Sequence, residues 1–112
     1  MITRQEYEEA EARVSAVAAS LGRARMDRAD AGLVIDEVRS AAAMLRHACR
    51  RGRWLLGRAS EDAPEDAADL ARDLSKIIDE HRRLWLARNR PGGLRDSVAR
   101  LAPPLADYAV PQ

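Results

Sequence analysis

The chain contains no phenylalanine, one cysteine and one lysine, and aromatic residues make up only 4% of its 112 residues. Without Phe, a core has to be built from Leu, Ile, Val and Ala. The solitary Cys49 excludes an internal disulfide and a cysteine-based metal cluster. No apolar run approaches the roughly 20 residues that a membrane-spanning helix needs. The first residues are charged rather than apolar, so no signal peptide is expected, and the chain reads as soluble and cytoplasmic. At this length one domain is expected, and a (β/α)₈ barrel is excluded. A formal net charge of +1 offers no general attraction for nucleic acid or an anionic membrane.

What the chain has instead is arginine and alanine. Every basic residue except Lys76 is Arg. Arg makes bidentate contacts with carboxylates and phosphates, but a GC-rich coding sequence enriches Arg and Ala together without any such role. With 46% hydrophobic and 33% charged residues, the composition is that of a folded domain.

Apolar spacing predicts helices over about 4–22, 31–57, 63–89 and 93–102, with an extended tail over 105–112. Thr3 and Glu6 have the spacing of a capping box at the first helix. Its apolar stripe is Tyr7, Ala10, Val14, Val17 and Leu21. The second helix carries Val34, Val38, Ala41, Leu45, Ala48, Gly52 and Leu55 at alternating steps of four and three, with a parallel row of Ile35, Ala42, Cys49 and Leu56. A doubled stripe implies two neighbours. Ser60 or Asp62 as cap and Pro64 in the first turn introduce the third helix, which carries Ala67, Leu70, Leu74, Ile77, His81 and Leu84. The expected fold is therefore all-α: an antiparallel three-helix bundle with a short fourth helix and an extended tail. Leu45, Leu74 and Ile77 are assigned to the central seams. Arg50, Arg51, Arg53 and Arg58 close the second helix and Glu61, Asp62, Glu65, Asp66 and Asp69 open the third, each at the favourable end of a helix dipole. In a hairpin the two clusters face each other.

Two stretches carry a resemblance. One runs from Asp36-Glu37-Val38-Arg39 through Met44-Leu45-Arg46-His47-Ala48-Cys49-Arg50-Arg51-Gly52. The other is His81-Arg82-Arg83-Leu84-Trp85 continuing through Asn89-Arg90-Pro91-Gly92-Gly93 to Leu101. Together they resemble the C-terminal helical region of some bacterial β-N-acetylhexosaminidases, the glycoside hydrolase family 20 enzymes. The resemblance implies an accessory domain that packs on a catalytic barrel or bridges two subunits, so the partner is a parent hydrolase's barrel or a second copy of the chain. That family's catalytic Asp-Glu pair ends a barrel strand. Asp36-Glu37 and Asp79-Glu80 lie mid-helix, where neighbours point about 100° apart, so the catalytic roles do not transfer and no enzymatic activity is assigned.

Of the soft metal ligands, His47 and Cys49 do not share a helix face, and neither a metal site nor a cofactor is expected. His81 falls on an apolar seam, as a partly buried structural histidine or a contact residue. The corner Arg88-Asn89-Arg90-Pro91-Gly92-Gly93, with Trp85 beside it, and the large ring of Trp54 form the candidate interface. Proline ends the helix, the glycines permit close backbone approach, and Trp and Arg are enriched where proteins meet. For the corner the competing role is a helix terminator, and for both tryptophans it is the edge of the core. The competing class for the whole chain is a free-standing helical regulatory or nucleic-acid-binding protein. Balanced charge and the absence of a helix-turn-helix signature speak against nucleic acid.

Overall fold

Thr3 and Glu6 start the first helix as their spacing requires. The Glu6 amide donates to Thr3 Oγ1 at 3.2 Å, and the Thr3 amide donates to Glu6 Oε1 at 3.3 Å. In the computed structural model, which describes residues 2–22, 31–58, 65–88 and 92–109, this opens α1 (Arg4–Gly22). It is followed by α2 (Ala31–Gly57), α3 (Ala67–Ala87), α4 (Leu94–Leu101) and α5 (Pro104–Tyr108). The described residues hold no strand, and the chain is an all-α helical bundle. No described helix is long and apolar enough to cross a membrane.

Two expectations about boundaries need correcting. α3 begins at Ala67, later than the predicted 63, because Asp66 caps it: its backbone is extended and its carboxylate accepts from the Ala68 amide at 2.8 Å. Ser60, Asp62 and Pro64 lie outside the described residues. The tail is not extended through its first part. Pro104 sits at the first position of α5, where a missing N–H costs nothing. The helix carries Tyr108 to a site where it is only 5% exposed. The Pro-Pro pair therefore ends α4 and also starts α5.

The helices are antiparallel neighbours in sequence, but their packing is uneven. α1 lies on α2, α2 on α3, and α3 carries both α4 and α5. Trp54, Leu70, Leu74, Ile77, Ile78, Val98 and Tyr108 form one buried cluster, with Met44, Leu94, Leu101 and Leu105 packed against it. Every member comes from α2, α3, α4 or α5; α1 supplies none. Leu74 and Ile77 are buried as their stripe predicts. Leu45 is not: it is 56% exposed. A stripe that was assigned to a closed seam instead forms the outer wall of a groove that α1 covers from one side only.

Polar groups close the inner side. His47 is buried, with Nδ1 2.8 Å from Asp73 Oδ2 on α3 and Nε2 2.8 Å from the Tyr108 hydroxyl on α5. One side chain thus ties three helices together. The Tyr108 ring meets Trp54 edge-on, with centroids 5.0 Å apart. The facing charge clusters meet too: Arg53 and Arg50 donate to the Glu65 carboxylate at 2.8 and 3.2 Å. Arg53 also lies 2.6 Å from Glu11 on α1. At the same end, Gly52 lets α1 approach, since a Cβ there would overlap the ring of Tyr7.

Candidate interaction surface

The corner after α3 turns on one glycine. Gly93 adopts φ +84°, in the left-handed region, and its carbonyl accepts from the Ser97 amide in the first turn of α4. The indole Nε1 of Trp85 donates to the Gly92 carbonyl at 3.3 Å, and the ring lies against Gly93. The Arg88 guanidinium bonds the Glu37 carboxylate on α2. The sequence-selected residues Trp85, Arg88, Gly92 and Gly93 are therefore brought together, and their contacts are with one another and with α2. Asn89, Arg90 and Pro91 lie outside the described residues. His81 joins the group from one turn earlier, with Nε2 2.8 Å from Ser97 Oγ and its ring 5.5 Å from that of Trp85. This arrangement orients α4 against α3.

Beside the corner lies a half-open cleft of about 250 Å³ lined by Glu37, Ser40, Met44, His81, Trp85 and Arg88. Its charged pair is closed on itself, and its histidine is occupied by Ser97. Ser40 is buried, and its hydroxyl finds no partner among the described residues.

Trp54 is placed differently from its candidate role as a partner anchor. At 1% exposure it is among the most buried side chains, packed within the core cluster, and a partner does not reach it. The guanidinium groups of Arg58 and Arg51 lie 4.8 and 5.9 Å from its ring centroid. Trp54 lies one position before Leu55, off the main stripe of α2. The missed signal is that this stripe is not the one that faces the core.

The acidic pairs are engaged in surface salt bridges. Asp36 is within 3.0 Å of Arg83, and Asp79 is 3.7 Å from Arg82. Hydrogen bonding from Arg83 holds the Glu80 carboxyl below its ordinary range. A general acid needs the opposite displacement. Among the described residues no group of three His, Cys, Asp or Glu side chains is placed to hold a metal ion. Burial, helped by the charge of Glu11, pushes the Cys49 thiol up, with Arg53 pulling the other way. A raised thiol is a poor nucleophile at neutral pH.

The surface that remains is apolar. Val14 and Val17 of α1 and Val38, Ala41 and Leu45 of α2 line a shallow groove, and Ala41 also lines the cleft against α3. Val17 is 61% exposed, and Leu55 continues the same α2 row toward its end, also exposed. Arg13 stands at the rim and is the sole charged side chain among the groove's lining residues. Residues 14–20 of α1 carry no charge on any face, and four of them are exposed.

The chain matches no family model, no curated protein and no solved structure.

Proposed function

We propose that the chain is a non-catalytic helical interaction domain whose working surface is the open α1–α2 face. The observation that carries this reading is the exposure of Val17 and Leu45 on two heptad stripes that lie side by side. Isolated exposed Leu or Val residues are ordinary, but a continuous apolar strip on two adjacent helices marks a contact surface. Of the two partner types raised by the sequence, subunit contacts have this surface in their support. A hydrolase barrel rests on the resemblance of residues 33–52 and 82–101 alone. The corner at Trp85 and Arg88 serves as a second, smaller contact region, since Trp85 stays partly exposed beside the cleft.

The test is the double variant Val17→Glu/Leu45→Glu, studied at low micromolar concentration. An interaction face expects an unchanged helical circular dichroism signal and a severalfold loss of binding to a hydrophobic dye. Unfolding of the double variant would show that these side chains belong to the chain's own core, and the reading would fail.

A further inference from the structure

We infer that the groove between α1 and α3 binds a phosphomonoester group at its Arg39–Arg46 end. This groove lies across α1 from the apolar face and has α2 as its floor, since α1 and α3 both pack on that helix. Three depressions follow one another along it. Arg53 lines the first, Arg50 and Arg46 line the second, and Arg46 and Arg39 line the third. The four arginines are spaced seven, four and three residues apart, which keeps them within about 60° of one another on the helix.

The two ends of this row are neutralised differently. Arg53 is held by Glu11 and Glu65, and Arg50 by Glu65 and Asp73. Arg46 is half-buried one turn further on, yet its side chain makes no ion pair or hydrogen bond among the described residues. Arg39 has only Asp36 at 3.8 Å, and that carboxylate already takes Arg83 at 3.0 Å. The α1 wall of the third depression is Ser15, Ala18 and Ala19, which supplies no acid. A cation that has lost part of its hydration without gaining a counter-charge is costly, and an anion from solution removes that cost.

Helix register adds a third cation. One heptad back from Arg83 along α3 is Lys76, and one heptad on from Asp36 along α2 is Ala43. Lys76 therefore stands to Ala43 as Arg83 stands to Asp36, but Ala43 offers no carboxylate. The side chain of Lys76 is exposed and unpaired among the described residues. The neighbouring acids of α3 are taken: Asp73 by His47 and Arg50, Asp79 by Arg82 and Glu80 by Arg83.

A phosphomonoester answers this set. It carries nearly two negative charges and three acceptor oxygens, enough for two arginine forks and a lysine. The Ser15 hydroxyl is a further donor. A carboxylate brings one charge and two oxygens, which one fork satisfies. The depression, about 410 Å³, has room for the phosphate and a small organic remainder.

The test is an NMR titration of amide shifts in the full chain at constant ionic strength. Inorganic phosphate and glycerol 3-phosphate should shift Ser15, Arg39, Ala43 and Arg46 saturably, with Kd below about 1 mM. Acetate and the singly charged diester dimethyl phosphate should bind at least tenfold more weakly. Arg46→Gln should weaken phosphate at least tenfold and Lys76→Gln severalfold, while Arg100→Gln, exposed on α4, should change nothing. Ala19→Glu places a carboxylate at an exposed position lining the same depression and should abolish binding. Shifts that never saturate, or that Arg100→Gln reduces as much as Arg46→Gln, would reduce the effect to surface screening and overturn the site. Acetate or dimethyl phosphate binding as tightly as inorganic phosphate would overturn the phosphomonoester. Should Arg46→Gln unfold, saturable phosphate binding that survives Ala19→Glu would still overturn this location.

Discussion

The two sides of α2 are built from similar residues and do different work. Toward α3 it presents Trp54, His47 and Met44, and these meet Leu70, Leu74, Ile77 and Tyr108 in a cluster closed by α4 and α5. Toward α1 it presents Val38, Ala41 and Leu45, and these meet short side chains and solvent. The inner side is filled by large groups, with His47 paired across helices to Asp73 and Tyr108, while the buried Trp54 Nε1 finds no partner among the described residues. On the outer side, α1 is held at its N-terminal half by Tyr7 over Gly52 and by Glu11 at Arg53. Its C-terminal half lies on α2 through alanines and valines. Folding stability belongs to the first side, and the second carries the surface we propose for association.

The comparison breaks if truncations on the two sides cost the same. Trp54→Ala should be the most damaging, at about 3–5 kcal/mol, with Leu74→Ala at about 2–5 kcal/mol, read from denaturant midpoints of the dilute protein. Tyr108→Phe should come next, at about 1–3 kcal/mol, because it leaves the buried Nε2 of His47 without its partner. Tyr108 also adds a pH signature. Burial holds its phenol above the ordinary value of 10, with Arg51 pulling it down. The native state therefore keeps this proton more tightly than the unfolded chain does. Its contribution is fully present below about pH 10 and is lost as pH rises through the folded value. Tyr108→Phe should remove that alkaline loss, and absorbance of tyrosinate in the native protein locates it.

Gly52→Ala sharpens the comparison at the joint between the two sides. The added methyl displaces the Tyr7 ring, an overpacking cost of about 1–3 kcal/mol, against a helix-propensity gain of about 1 kcal/mol. The net loss should be small and confined to α1, visible as faster amide exchange over residues 4–22 with α3 unchanged. Leu45→Ala should have the smallest effect, under about 1 kcal/mol in the dilute protein, since more than half of the side chain is already in water. A loss of 2–5 kcal/mol, the value its stripe position predicts, would restore Leu45 to the core.

The sequence made the helices legible because their signals are local. The Thr3–Glu6 box and the 3-4 spacing act within a few residues, and the clustered charges at 50–58 and 65–69 pair across a single hairpin. That the core takes neither of the two apolar stripes of α2 was not legible. The heptad row through Leu45 is the cleaner pattern, but the core takes the side bearing Trp54 and His47. What decides it is α5, whose Tyr108 supplies a ring for Trp54 and, from 61 residues away, a hydroxyl for His47. The segment after Pro103-Pro104 carried no periodic signal long enough to reveal a helix. At the corner, the left-handed Gly93 was legible from composition, whereas the pairing of Arg88 with Glu37 depends on helix register across 51 residues.

Native-state hydrogen exchange of the full chain at low micromolar concentration tests the division most directly. The account expects amides of α1 to exchange through openings well below the global unfolding free energy, while those of α3 near Leu74 and Ile77 exchange only through global unfolding. Equal opening free energies in α1 and α3 would contradict it, because the chain would then have one core with α1 inside it.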